Sequence, residues 1–195
     1  MIYEFIGLPG SGKTYHAQRL SSEIGAPMIG ALSRKDRFLG ALCFATHRPL
    51  VVMRLVRELF CETHVSAALL WHKLFFLLGN ALARESVAMR FETAVIDEGL
   101  AQYIYSLYEH RITVRDIQRY FDIVKLPEER TVTIIEASDN IRHERMAARG
   151  RVPRSAFGLS YGESWEEVLS SNHRLIAQHL PEMRVGAHVG VQDSC

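Results

Sequence analysis

"GLPGSGKT", Gly7 to Thr14, decides how this chain is read. Gly7 is followed by four residues and then by Gly12, Lys13 and Thr14, the spacing of a phosphate-binding loop. Such a loop needs a strand before it and a helix after it. Ile2 to Ile6 is a short β-rich run interrupted by Glu4. Lys13 to Ile24 carries Ala17, Leu20 and Ile24 at helical spacing. In this context glycines let main-chain N–H groups turn inward around a phosphate, and the helix N-terminus adds its dipole. Gly7, Leu8, Pro9, Gly10, Ser11, Gly12, Lys13 and Thr14 are therefore the expected nucleotide-binding residues. Lys13 is expected to reach the β- and γ-phosphates, and Thr14 to offer its hydroxyl to Mg²⁺.

Working outward, the second half of such a site is sought at the end of another apolar strand. "TAVID", Thr93 to Asp97, fits. Asp97 is the expected partner of Thr14 in holding Mg²⁺. Glu98 follows directly, a carboxylate that would accept a proton from an acceptor hydroxyl or polarise water. A third feature is "RHERMAARGRVPR", with Arg142, Arg145, Arg149, Arg151 and Arg154. Spacings of three and four place the first three on one helix face. Gly150 ends that helix and a basic loop follows. Arginines that close over phosphates neutralise transition-state charge, so this basic segment joins Lys13, Asp97 and Glu98 as candidate catalytic machinery.

The remaining elements follow from periodicity. Helices are expected over Leu50–Phe60, through Val65 to about Arg90, and over Leu100–Glu109, Thr113–Val124, Ser138–Ala148 and Ser164–Leu180. Ala26–Gly30 reads as a brief strand, Thr131–Ala137 as a β-branched one and "RVGAHVGV" as a final edge strand. Alternating strands and helices predict an α/β fold: three layers, a parallel sheet flanked by helices, and an arginine-rich lid. One domain over residues 1–195 is expected, with a helical acceptor-side segment at 32–90 and the lid at 149–160. Trp71, Phe75 and Phe76 lie in the helical segment, where aromatics are usually core. Arg34, Arg37, Arg54 and Arg57 lie there too; facing the cleft, they would favour an anionic acceptor.

Composition narrows the classes. The 195 residues are 48% hydrophobic and 23% charged, with net charge +1. No bulk attraction to nucleic acid follows, so a nucleic-acid partner is not expected. Three separated cysteines in no CxxC pair fit a reducing, cytoplasmic setting better than a disulfide framework. The most apolar stretch, Ser66 to Ala83, is broken by His72 and Lys73, so no membrane span is expected. The N-terminus has no secretory pattern. The nine histidines form no HExxH pattern, so no metal beyond Mg²⁺ is expected.

"HERMAARGR" resembles the helix-to-lid junction of thymidylate kinases and related nucleoside and nucleotide kinases, at Arg145, Arg149 and Arg151. "GLPGSGKT" is similar to the loops of small P-loop kinases, including adenylate, adenylylsulfate and gluconate kinases. The resemblance covers three short segments in the expected order. It implies the P-loop kinase fold and ATP with Mg²⁺ as donor. The partner implied is a small acceptor: a nucleoside, nucleotide or sugar-like molecule. A homodimer is compatible with it. Two departures stand out: thymidylate kinases follow the strand-end Asp with Arg, where this chain has Glu98 and Gly99, and their Arg-Glu-Pro acceptor stretch has only "SRKDR", Ser33 to Arg37, in its place. An ATPase that couples hydrolysis to a partner, a nucleotide-binding module without catalysis, and a kinase acting on nucleic acid stay open as alternatives.

Overall fold

The computed structural model describes residues 1–62, 66–150, 154, 157, 159–183 and 188–193. Its strands are β1 (Ile2–Gly7), β2 (Met28–Ile29), β3 (Ala94–Ile96), β4 (Arg130–Glu136) and β5 (His188–Asp193). Its main helices are α1 (Lys13–Ile24), α2 (Arg34–His47), α3 (Pro49–Glu62), α4 (Ala67–Trp71), α5 (Gly79–Ala88), α6 (Leu100–Leu107), α7 (Val114–Val124), α8 (Asp139–Ala148) and α9 (Leu159–His179). A wide π-helical segment, His72–Leu78, joins α4 to α5.

All strand pairs are parallel, in the order β2-β3-β1-β4-β5. Ile2 pairs with Ala94 on one side and with Arg130 on the other, which aligns the strand ends. The loops after β1 and β3 consequently open on one edge, where ligands of such sheets bind.

The period-2 alternation of a strand sorts the side chains of β1. Phe5 packs with Ala17 of α1, Ala26, Val95 and Ile135. Ile6 faces the larger core, with Val132, Ile134 and residues of α3, α5, α6, α7 and α9. Glu4 shares the parity of Ile6 and is fully buried, so the acid that interrupts the strand pattern points inward.

Helix caps and two short strands follow from local sequence. Thr113 and Asp116 form a reciprocal capping box at the start of α7. Ser138 takes the N-cap position of α8, without a side-chain hydrogen bond. The brief strand near Ile29 and the edge strand near the C-terminus both form. α2 falls in the segment expected to be helical, 32–90, although no separate helix was delimited there; Ser33 caps it by accepting the N–H of Asp36 at 3.1 Å. Its periodicity is poor because Phe38, Leu39 and Leu42 face outward while Gly40 faces α5, where an added Cβ would lie 3.0 Å from Ala83. The last long helix begins at Leu159, five residues before the expected Ser164. No single described helix is long and apolar enough to cross a membrane.

Candidate active site

The loop after β1 is held by its neighbours before any ligand arrives. The N–H of Gly7 donates to Gln102 Oε1 at 2.8 Å, and Gln102 Nε2 donates back to Gly7 O at 3.1 Å. At Gly10, with φ of 81°, a Cβ would sit 2.7 Å from the carbonyl oxygen of Arg142. The close approach of loop to α8 therefore requires glycine. Lys13 is buried at the start of α1, and its Nζ donates to Gly7 O at 2.9 Å and Leu8 O at 3.1 Å. Burial lowers its pKa, while Glu98 and Asp97 oppose that shift. The ammonium thus rests on the loop's own carbonyls. Ser11 Oγ is buried without a partner.

β3 delivers Asp97 to the same edge. Thr14 Oγ1 donates to Asp97 Oδ2 at 2.9 Å, while Asp97 Oδ1 is buried with no hydrogen-bond partner. Burial raises the Asp97 pKa, and neighbouring Glu98 raises it further. A hydroxyl and a carboxylate with a spare oxygen form a hard-oxygen set that fits Mg²⁺, which takes few protein ligands and completes its shell with water and phosphate. Among the described residues no group of three His, Cys, Asp or Glu side chains could hold a metal.

The loop carrying Asp97 and Glu98 is positioned by a buried charge network absent from the sequence reading. Arg130, at the start of β4, donates from Nη1 to Glu4 Oε2 at 2.6 Å and to Glu85 Oε1 at 2.8 Å, and its Nη2 also engages Glu85. The two carboxylates then cap α6. Glu4 Oε1 accepts from Gly99 N at 3.0 Å and Gln102 N at 2.9 Å, and Glu85 Oε1 accepts from Leu100 N at 3.0 Å. Negative charge at a helix N-terminus is favourable, and the first N–H groups need acceptors. A Cβ at Gly99 would lie 2.8 Å from both carboxylates, which accounts for glycine where thymidylate kinases place a larger residue.

Glu98 is half exposed and is held by Arg84 of α5. Arg84 Nη1 donates to Glu98 O at 2.8 Å and Oε2 at 3.3 Å, and its Nε donates to Gly30 O at 3.0 Å. Sequence reading missed Arg84, whose signal is only one cation in a buried helix. Arg84 and Glu98 line a cavity of about 180 Å³ together with Lys13, Phe76, Asn80, Tyr103 and Trp165. Tyr103 is 3% exposed and its hydroxyl has no partner, so the wall offers an unused polar group. The aromatic trio divides: Phe76 lines this cavity, Phe75 lines a groove on α2 and α3, and Trp71 stacks on Phe75. All three are more than half exposed, so none is core. Arg34, Arg37, Arg54 and Arg57 are not in the lining of the cavity beside Lys13.

The arginine-rich helix splits by role. Arg142 is 1% exposed and donates to Pro9 O at 3.1 Å, Asp139 at 2.6 Å and Glu166 at 3.3 Å. Arg145 reaches Gly10 O and Ser11 O at 3.3 Å. Arg149 is exposed at the C-cap of α8, close enough to disfavour the Lys13 charge. Arg151 lies outside the described residues. Arg154 is no free lid cation: it donates to both Glu109 oxygens at 2.5 and 2.7 Å and lies 4.1 Å over the Trp165 ring.

A parallel sheet in this order, a phosphate-binding loop after its central strand and an acid after the neighbouring one make this the P-loop kinase fold. The motif resemblance to nucleoside and nucleotide kinases is matched by the fold. The deoxyadenosine kinase of M. mycoides with dCMP and a flexible dCDP bound superposes with TM-score 0.54, over 97% of this chain and 90% of that one, at 14% identity. The same kinase with dATP gives 0.51, over 99% and 91% of the two chains, again at 14% identity. No family model matches the chain, and no curated protein matches it in sequence.

Proposed function

We propose that the chain is an ATP- and Mg²⁺-dependent phosphotransferase acting on a small hydroxyl-bearing acceptor, with nucleosides as the leading class. The observation that carries this reading is the cavity itself: one largely apolar space touches both Lys13 and the Arg84–Glu98 pair. A donor phosphate on the loop and an acceptor in the cavity would meet at Lys13. The deoxyadenosine kinase structures of this fold hold dCMP, dATP or dCTP, which favours a nucleoside-sized acceptor or a deoxynucleotide ligand.

In this mechanism Lys13 leaves Gly7 O and Leu8 O for the β- and γ-phosphates. Thr14 and Asp97 would hold Mg²⁺, which neutralises phosphate charge when bound. Glu98 takes the acceptor hydroxyl proton as the new O–Pγ bond forms and the Pγ–O bond to ADP breaks. Arg145 and Arg149 stabilise charge on the transferring group. Arg84 keeps the Glu98 carboxylate at the cavity mouth.

The test is ADP release with and without a panel of deoxynucleosides, nucleosides, nucleoside monophosphates and hexoses. Acceptor-dependent release is expected, with Lys13→Ala slower by at least ~100-fold while remaining folded. Release that no acceptor stimulates would instead mark an ATPase.

A further inference from the structure

The face built by α2 and α3 has a composition that the phosphotransfer reading does not use. Phe38, Leu50 and Met53 are 69%, 66% and 67% exposed. Burial of such side chains drives folding, so their exposure in one region marks an interaction surface. An apolar groove of about 450 Å³ runs between Phe38 and Leu42 of α2, Val52 and Val56 of α3, and Phe75.

Its charge is one-sided. Residues 31–62 contain Arg34, Lys35, Arg37, Arg48, Arg54 and Arg57 against three acids. Of those acids, Glu58 pairs with Arg119, Asp36 accepts from Ser33 and Glu62 lies 3.4 Å from His110, so six cations against three acids leave the segment net positive. On α3 the exposed positions Leu50, Met53, Arg54 and Arg57 fall at helical spacing, so cations and apolar groups share one face. Arg34 and Arg37 border the groove, and Arg37 lies 5.9 Å over the Phe76 ring. α2 and α3 together have the length and apolarity of a span but bend by 111° at their junction, so they form no single straight spanning helix.

We propose that this face docks in the interface of an anionic lipid bilayer. Apolar side chains would enter the headgroup–acyl boundary while the arginines and Lys35 meet lipid phosphates. Trp71 and Phe75, stacked at 4.8 Å beside the groove, are of the residue type that settles at headgroup level. A second copy is a poorer occupant, since a two-fold interface would bring two net-positive faces together.

The test is co-sedimentation of the full chain with vesicles of phosphatidylcholine alone and of phosphatidylcholine mixed with phosphatidylglycerol. Binding to the mixed vesicles only, weakened by salt, is expected. Arg54→Glu with Arg57→Glu should weaken partition by ~25-fold or more, given about fivefold per basic residue near the surface. Met53→Asp should also weaken it. Both sets are exposed, so unchanged thermal melting should accompany them. Trp71 emission should shift to the blue on binding. The proposal is overturned by failure to bind the mixed vesicles, by binding indifferent to charge reversal, or by a dimer in sedimentation that Met53→Asp dissociates without vesicle binding.

Discussion

Arg142, near the start of α8, donates from Nε to the main-chain oxygen of Pro9 at 3.1 Å, with its side chain buried. A residue of the arginine-rich segment is thus a strut of the phosphate-binding loop. Its guanidinium also meets Asp139 and Glu166, so loop, α8 and α9 converge on one group.

Arg142→Ala should therefore act through the shape of the loop. Losing hydrogen bonds that involve a charged donor costs about 2 kcal/mol, readable in a urea titration. KM for ATP should rise more than kcat falls, because Arg142 does not face the cavity. A variant with wild-type stability and wild-type KM would contradict the strut.

Arg130→Ala leaves Glu4 and Glu85 buried and uncompensated, a loss of about 3–5 kcal/mol at neutral pH. Burial already raises the Glu4 pKa, and Arg130 opposes that rise. Without Arg130 the Glu4 carboxyl should titrate higher still in the folded protein than in the unfolded chain. A raised folded pKa gives stability that is present below the unfolded value and lost as pH climbs through the folded one. The deficit of Arg130→Ala should accordingly shrink on acidification, measured as the difference from wild type in parallel urea titrations at several pH values. A deficit independent of pH would place the damage in packing instead.

Glu98→Gln should cut acceptor phosphorylation by ~100-fold or more, the range of a lost general base. Arg84→Met should act on the same step more weakly, by releasing the carboxylate it holds at 3.3 Å. The two together should then cost little more than Glu98→Gln alone, since the effect of Arg84 runs through Glu98. Fully additive effects in single-turnover phosphorylation would show that Arg84 meets the acceptor by itself.

His173 gives an acid-side prediction. It is buried with Tyr105 Oη 2.9 Å from its Nδ1, and burial, with Arg142 and Lys13 adding to it, lowers its pKa from 6.5 to about 4. A depressed folded pKa gives stability present above the unfolded value and lost as pH falls towards the folded one. Between about pH 7 and about pH 4.5, His173→Gln should lose roughly 2 kcal/mol less than wild type, from the linkage of one such group. Equal losses in the two proteins would show that His173 does not titrate in this way.

The candidate site was legible where its residues are local in the chain. Gly7–Thr14 is contiguous, Asp97 ends a strand, and the strand–loop–helix order follows from periodicity because a strand and an amphipathic helix repeat every two and 3.6 residues. Capping at Thr113 and Asp116 was equally readable, since both partners lie within one turn. Tertiary structure alone decided the rest. Glu4, Glu85 and Arg130 are 126 positions apart at their extremes, and only the register of β1 with β4 and the packing of α5 bring them to the N-terminus of α6. Arg142 and Arg154 belong to the same basic run as Arg145 and Arg149, and only packing shows what the first two do: it buries them against Pro9 and Glu109 and leaves the others towards the loop and solvent. α2 hid because its apolar side chains face outward, so its pattern follows a surface that the chain's own core does not cover. Local propensity is written within one turn of chain, whereas burial of charge depends on which distant elements meet.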